Sequence, residues 1–148
     1  MSPAQEQFAR MKRYLARMEK RGATDEDTDD LYSFFLHAWH LMDWSSNDST
    51  VNCGKSPEDM KAQLRGVITT SIGRCEDIAN RTKHLNLTRP PREAPEITNK
   101  HIWVGGNRPA EAVFIFTFPD DTTRDALDLA NEVMTDWKRL LKRYGVVV

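Results

Sequence analysis

The sequence predicts a mainly α-helical fold: a four- to five-helix bundle with one β-hairpin inserted before the C-terminal helix. Apolar residues recur at helical spacing along most of the chain, which is the pattern of amphipathic helices. Two short runs, residues 100–104 and 112–118, are instead rich in aromatic and β-branched residues and flank the turn-forming residues 105–109 (GGNRP). The length of 148 residues fits one domain, so we expect a single domain over residues 1–148.

The first predicted helix spans residues 3–21. Its apolar residues Phe8, Met11, Leu15 and Met18 are spaced at helical intervals and form a narrow stripe. Such a stripe fits packing within the bundle or packing against a second copy of the chain, so a homodimer is one expectation. The rest of this helix is mostly basic.

The second predicted helix follows an acidic block, residues 25–30, which contains five Asp or Glu. Acidic residues suit a helix N-terminus because they face the positive end of the helix dipole. The helix then presents a wide apolar face, typical of a core helix, made of Leu31, Phe34, Phe35, Ala38, Leu41 and Met42. The turn-forming residues 45–55 (SSNDSTVNCGK) predict a loop.

A third helical segment starts with Ser56 as cap and Pro57 in the first turn. Its apolar phase continues to Ala79, which favours one long helix reaching about Leu85. A kink or short break near residues 70–73 is an open alternative, because β-branched residues and glycine weaken a helix there. A proline-containing connection then leads to about residue 99.

The predicted hairpin covers about residues 100–118 and the last helix about residues 122–144. Phe114, Phe116 and Phe118 alternate along the second strand, so they share one face, which we expect to dock on the helices. The last helix has acidic residues at its start and basic residues at its end, as the helix dipole favours.

Composition excludes several classes of function. The net charge of -1 counts against a generic nucleic-acid binder, and no apolar run approaches the ~20 residues of a membrane span. Phosphate-loop, dinucleotide-binding and nucleophile-elbow motifs are absent from the sequence, so no cofactor is expected.

The N-terminus has no apolar signal region, and Cys53 and Cys75 form no CxxC pair. Both are expected to be free thiols in the cytoplasm.

The near-zero net charge is a sum of opposite blocks. Residues 1–22 hold six Lys or Arg and two Glu, and residues 138–143 hold four Lys or Arg, whereas the acidic block holds five acids. The two basic segments are therefore candidate contact faces for a protein partner or for RNA. The candidate contact residues are Arg10, Arg13, Arg17, Lys138, Arg139 and Lys142.

One candidate polar run lies on the second predicted helix. His37, His40 and Asp43 are spaced i, i+3, i+6, so neighbouring members lie within reach of each other and can hold a divalent metal. The i, i+4 histidine spacing with an adjacent Glu that marks metalloproteases is absent. The alternative is half-buried histidines bonded to loop backbone and an Asp43 paired with a base, so no metal is predicted.

A second candidate polar run ends the third helical segment. Asp77, Asn80 and His84 are spaced i, i+3, i+7 on one face, and Arg81 and Lys83 flank that face. Such a set can bind an anion or a nucleotide, or act as an acid–base pair. The alternative is an ordinary helix C-terminus, where His and Lys satisfy the last carbonyl groups. The predicted polar cluster, ligand-binding or structural, comprises His40, Asp43, Asp77, Asn80, Lys83 and His84.

These two runs also carry a resemblance. The W-H-L-x-D-W segment at residues 39–44 and the C-x-D-x-A-N-x-x-K-H segment at residues 75–84 resemble a widespread group of small, uncharacterised helical proteins of bacteria and mobile elements. Residues 130–133 and Trp137 also fit, so the resemblance spans most of the chain. The group is distantly similar to HEPN-type helical domains, many of which act in toxin–antitoxin and anti-phage systems.

Ribonuclease members of the HEPN family carry an Arg-x4-6-His motif and form their site across a dimer. Here two residues separate Arg81 from His84 and nine separate Arg74 from His84, so that motif is not present. We therefore expect a non-catalytic binding or interaction protein of bacterial or mobile-element origin, acting in phage defence or counter-defence. The alternative that the resemblance implies is a metal-independent HEPN-like ribonuclease, with His84, Arg81 and Lys83 as its catalytic residues.

Overall fold

The computed structural model describes residues 1–20, 24–83, 96–103 and 111–148, with side chains described for 1–20, 24–80 and 113–148. These ranges contain six helices and three strands, and the predicted helical fold with a hairpin before the last helix is confirmed. In chain order the elements are α1 (Pro3–Met18), α2 (Asp25–Ser46), α3 (Ser49–Asn52), α4 (Pro57–Arg65), α5 (Thr70–Lys83), β1 (Glu96–Trp103), β2 (Glu111–Thr117), β3 (Thr123–Asp125) and α6 (Ala126–Arg143).

The first two helices begin with reciprocal caps and pack against each other. At the start of α1, the Ser2 hydroxyl accepts a hydrogen bond from the Gln5 N–H, and the Gln5 side chain accepts one from the Ser2 N–H. Thr24 and Asp27 form the same arrangement at the start of α2, within the acidic block. The α1 helix ends at Met18, earlier than the predicted end at residue 21.

The loop predicted over residues 45–55 is wrong in part, because α2 continues to Ser46 and the short helix α3 follows. Asp48 is the N-cap of α3, and its carboxylate accepts a hydrogen bond from the Thr50 N–H at 2.9 Å. The same carboxylate accepts a second bond from the Ala4 N–H in the first turn of α1 at 3.0 Å. Ser, Asn and Asp favour helix caps as well as turns, so composition did not separate the two.

The long helix expected from Pro57 is two helices, α4 and α5, separated by residues 66–69. The break lies just before the position considered in the sequence. The hydroxyl groups of Thr69 and Ser71 donate to the Asp136 carboxylate of α6 at 2.8 and 2.6 Å, which ties the start of α5 to a distant helix. Helical periodicity carries no information about such a contact, so the uninterrupted pattern suggested one helix.

The predicted hairpin is present, with β1 antiparallel to β2. Its register pairs Ile97 with Phe116 and Trp103 with Glu111. The first strand begins at Glu96, within the stretch predicted to be a connection. The predicted turn over residues 105–109, most of the predicted connection and the expected helix end near Leu85 lie outside the described residues.

A third strand, β3, was not predicted. It pairs antiparallel with β2 and occupies residues that were expected to begin the last helix. The last helix starts at Ala126 instead, and the Asp125 carboxylate caps it by accepting from the Asp128 N–H at 2.9 Å. The capping interaction is therefore of the predicted kind but lies further along the chain. The free edge of β2 supplies backbone partners for residues 123–125, and such partners are not visible in local sequence.

The hairpin docks through the predicted aromatic face. Phe116 and Phe118 are buried and Phe114 packs, half-buried, at the edge of the core. The ring of Phe116 meets that of Phe35 on α2 edge-on, with 5.4 Å between ring centres. Trp137 of α6 is fully buried at the centre of the same core.

The apolar stripe of α1 packs within the molecule. Phe8 and Met11 are buried, and Leu15 and Met18 are half-buried against the core. The homodimer expected as one use of this stripe stays a prediction. Among the helices of the described ranges, none is long and apolar enough to cross a bilayer.

Candidate functional site

The first polar run of the sequence divides between two neighbours of α2. His37 contacts Gln7 of α1, whereas Asp43 forms an ion pair with Lys61 of α4. In the part of the chain whose side chains are described, which includes His37, His40 and Asp43, no group of three or more His, Cys, Asp or Glu is placed to hold a metal ion. The metal alternative considered for these three residues therefore gains no support.

Gln7 donates two hydrogen bonds to His37. Its amide donates to the backbone oxygen of His37 at 2.9 Å and to the ring Nδ1 at 3.1 Å. A ring nitrogen that accepts a hydrogen bond carries no proton, so the ring proton lies on Nε2. Burial of the imidazole, and then the positive charges of Arg10, His40 and Arg13, lower the pKa of His37 below its ordinary value.

Guanidinium groups lie over aromatic rings along both flanks of α2, beside α1 and beside α4. The pairs, measured from guanidinium carbon to ring centre, are Arg10–Trp44 at 5.0 Å, Arg17–Tyr14 at 5.0 Å and Arg65–Trp39 at 5.1 Å. Cation–π contacts of this length are attractive by about 0.5–1 kcal/mol at exposed sites. We define the cation–aromatic surface as Arg10, Arg13, Tyr14, Arg17, Trp39, Trp44, Lys61 and Arg65.

Helical spacing places Arg10, Tyr14 and Arg17 beside Trp44, whereas Trp39 lies about 140° around α2 from Trp44, on the flank next to α4. The α1 helix buries Gln7, Phe8 and Met11, so positions 10, 14 and 17, three and four residues apart, line up on the flank next to that buried face. On α2, Trp44 lies two turns after His37 and therefore on the same side of the helix. The rings of Tyr14, Trp39 and Trp44 are all half-buried.

Carboxylates pair with only some of the cations on this surface. The ion pairs are Arg17–Asp30 at 3.2 Å, Arg65–Glu76 at 3.4 Å and Lys61–Asp43. Arg10 and Arg13 form no ion pair with any residue that the structure describes. Their positive charge is therefore the part of the cation–aromatic surface that is free to meet a partner.

The other predicted basic face lies at the end of α6. Lys138, Arg139 and Lys142 are exposed, and we call these three residues the α6 basic face. Arg139 is paired with Asp136 at 3.4 Å. The two lysines line a shallow cavity of about 290 Å³ together with residues 145–148.

The second polar run meets other neighbours. Asp77 lines an open groove of about 600 Å³ between α5 and the turn before β3, together with Arg74 and Asp120. Arg74 lies 3.8 Å from the centre of the Phe118 ring and donates to Asp120 at 3.2 Å. Asn80 is exposed on α5.

Three residues of the predicted catalytic set, two of which also belong to the predicted polar cluster, lie at or beyond the end of α5. Arg81 and Lys83 belong to the last turn of α5, but their side chains lie outside the described set, and His84 lies outside the described residues altogether. The catalytic roles that the HEPN resemblance implies for these three residues stay predictions. His40 and Asp43 are described on α2, where Asp43 is committed to Lys61.

The basic character of α1 was visible in the sequence, but the rings under its arginines and under Arg65 were not. Trp39 and Trp44 were noted only as part of a resemblance, and Tyr14 and Arg65 were not singled out. A usable signal was present, since both tryptophans lie at the margins of the apolar face of α2, where rings stay half-exposed.

Comparisons with protein-family models, with curated proteins and with solved structures give no match to this chain.

Proposed function

We propose that this protein is a non-catalytic binding protein that holds an anionic partner on the cation–aromatic surface. The observation that carries the proposal is the placement of three guanidinium groups over half-buried rings along the neighbouring helices α1, α2 and α4. Beside them, Arg10 and Arg13 have no acidic partner among the described residues. Unpaired positive charge on an ordered surface attracts an anionic partner.

The contacts with the rings favour binding because they restrict the arginine side chains before a partner arrives. A guanidinium group held over a ring has fewer conformations to lose when a partner arrives, so less entropy opposes association. A guanidinium group carries five N–H donors, so it can donate to a carboxylate or phosphate in addition to its contacts within the protein. The rings supply apolar area beside each charge, as interface hot spots commonly do.

The chemistry of the surface favours binding over catalysis. Arginine stays protonated at all physiological pH values, so it cannot exchange protons with a substrate. His37, whose pKa is lowered, uses its Nδ1 to accept from Gln7. Its role there is to hold α1 against α2.

The test compares two double charge reversals that change the net charge equally. Arg10→Glu with Arg13→Glu alters the cation–aromatic surface, and Lys138→Glu with Lys142→Glu alters the α6 basic face. We expect the first variant to elute from a heparin column at clearly lower salt than the unaltered protein, and the second to change little. Equal losses in both variants would show that retention follows net charge alone, which contradicts the proposal.

The predicted setting in phage defence or counter-defence rests on the sequence resemblance, and we retain it as part of the proposal. A binding protein of this kind would act on a component of a toxin, nuclease or phage system. The observation that tests the setting is the identity of the neighbouring genes. Neighbouring genes that encode housekeeping metabolic enzymes in several genomes would count against a setting in phage defence.

A further inference from the structure

We infer that the partner of the cation–aromatic surface is an acidic helix of another protein, whose carboxylates face Arg10, Arg13 and Arg17. This inference rests on the proposed function and names the class of partner. It follows from the spacing of the arginines, the residue types around them and the position of the carboxylates on the same surface.

The arginines of α1 form a line that matches the repeat of a second helix. Residues 10, 13 and 17 are three and four apart, so one helical turn separates each from the next. With a rise of 1.5 Å per residue, the line is about 10 Å long. A helix with carboxylates at i, i+3 or i+4, and i+7 repeats the same distances, so each carboxylate can meet one guanidinium group.

The residue types favour a protein partner. Arg, Trp and Tyr are enriched at the energetic centres of protein interfaces, whereas Lys is depleted there. The arginines of the line on α1 and the rings that Arg10 and Arg17 contact, Trp44 and Tyr14, are of these types. The Trp44 ring beneath Arg10 offers an apolar contact for a side chain placed between two carboxylates of the partner helix.

The carboxylates of the surface disfavour a nucleic-acid strand. Asp30 lies 3.2 Å from Arg17, and Asp43 is paired with Lys61, so negative groups sit beside two of the cations. A nucleic-acid strand carries a charge at about every 3.4 Å along a duplex, and its phosphates would meet these carboxylates. A helix can place neutral residues opposite them. The whole-chain charge of -1 further weakens attraction to a polyanion.

The test uses labelled probes of matched charge and the full-length protein at low ionic strength. Two synthetic peptides share one composition of Ala, Leu and Glu; one places its Glu at i, i+3 and i+7, and the other distributes the same Glu around the helix. Single-stranded oligo(dT) and oligo(U) of the same net charge are the nucleic-acid probes. Binding is read from fluorescence anisotropy, and circular dichroism checks that each protein variant is folded.

We expect the striped peptide to bind most tightly. Arg10→Glu with Arg13→Glu should weaken that binding about tenfold or more, because it replaces two attractive charges with repulsive ones. Lys138→Glu with Lys142→Glu, the matched control, should change it by less than about twofold. If the double variant on α1 fails to fold, Arg13→Glu alone serves, since this side chain is exposed.

The remaining outcomes would overturn the acidic-helix inference, or both that inference and the proposed function. Equal binding of the two peptides would contradict the spacing argument and therefore the acidic-helix inference. Tighter binding of either oligonucleotide, lost in the α1 variant but not in the α6 variant, would overturn the inference while upholding the proposed function. If the unaltered protein binds no probe more tightly than the Arg10→Glu with Arg13→Glu variant does, both the acidic-helix inference and the proposed function are overturned.

Discussion

At the residue scale, buried polar groups join separate helices. Asp48 is only 1% exposed, and its carboxylate accepts hydrogen bonds from the N–H groups of Ala4 and Thr50. Gln7, which is fully buried, bridges α1 to the backbone and ring of His37 on α2. Each of these groups depends on partners from another element, so its removal leaves donors or acceptors unsatisfied.

Asp48→Ala should destabilise the fold by about 2–3 kcal/mol. The change removes the cap of α3 and leaves the N–H group of Ala4 without its partner in a buried place. Urea unfolding measures the loss. Glu58→Ala, an exposed acid in the first turn of α4, is the control and should cost less than about 0.5 kcal/mol. Equal losses in the two variants would contradict the double-cap role.

His37 should make stability depend on pH in the mildly acidic range. Burial and neighbouring positive charges lower its pKa in the folded protein, so the unfolded chain binds the proton more readily. The stabilising contribution is complete above the ordinary pKa of about 6.5 and is lost as pH falls through the lower folded value. We expect the unfolding free energy to fall from pH 7.5 to pH 5.5.

His37→Gln separates this residue from other acid-sensitive groups. Glutamine does not titrate, so the variant should lose less stability over the same pH interval than the unaltered protein does. Urea unfolding at both pH values gives the comparison. A decline of the same size in both proteins would show that another group is responsible.

At the element scale, contacts between elements decide where helices begin. The start of α5 is joined to α6 by the hydroxyl groups of Thr69 and Ser71, which both donate to one oxygen of Asp136. Arg139 adds a charge-assisted bond to the other oxygen at 3.4 Å. Since Ser71 is buried, this carboxylate satisfies a polar group inside the protein as well as ordering a helix terminus.

Asp136→Ala should destabilise the fold by about 1–3 kcal/mol, since hydrogen bonds to a charged group are lost and the Ser71 hydroxyl is left buried. Amide hydrogen exchange should accelerate first in the opening turn of α5 and not in α1. Asp128→Ala, an exposed acid earlier on the same helix, is the control. Uniform acceleration over the whole chain would contradict a local role.

At the whole-molecule scale, the sheet joins the helices through one aromatic face. Phe116 lies against Phe35 of α2, and β2 also pairs with β3, which leads directly into α6. The opposite charges of the chain are distributed over different elements. The acidic block begins α2, and Arg10 and Arg13, which pair with no acid among the described residues, lie on α1.

Phe116→Ala should cost about 3–5 kcal/mol, because it leaves a large cavity where the hairpin meets the helices. Phe114→Ala is a matched control on the same strand, and it should cost clearly less since Phe114 is only half-buried. Thermal or urea unfolding measures both variants. Similar losses would mean that the two rings contribute equally, contrary to their burial.

Local pattern accounts for much of the fold and for part of the candidate site. The spacing of Leu31, Phe34 and Ala38 predicted the buried face of α2, and the alternation of Phe114 and Phe116 predicted the docking face of the hairpin. These features depend on a period of 3.6 or 2 residues and on neighbours in sequence. The basic character of α1 was likewise visible from composition alone.

The sequence by itself determined the helical class, the hairpin before the last helix and the basic face of α1, because each follows from residues close together in the chain. Only the tertiary structure decided the break before α5, the strand β3 and the stacking of Arg10 on Trp44. Each of these depends on a partner from another element. Such contacts form when packed helices bring distant residues together, and a local pattern does not encode which residues will meet.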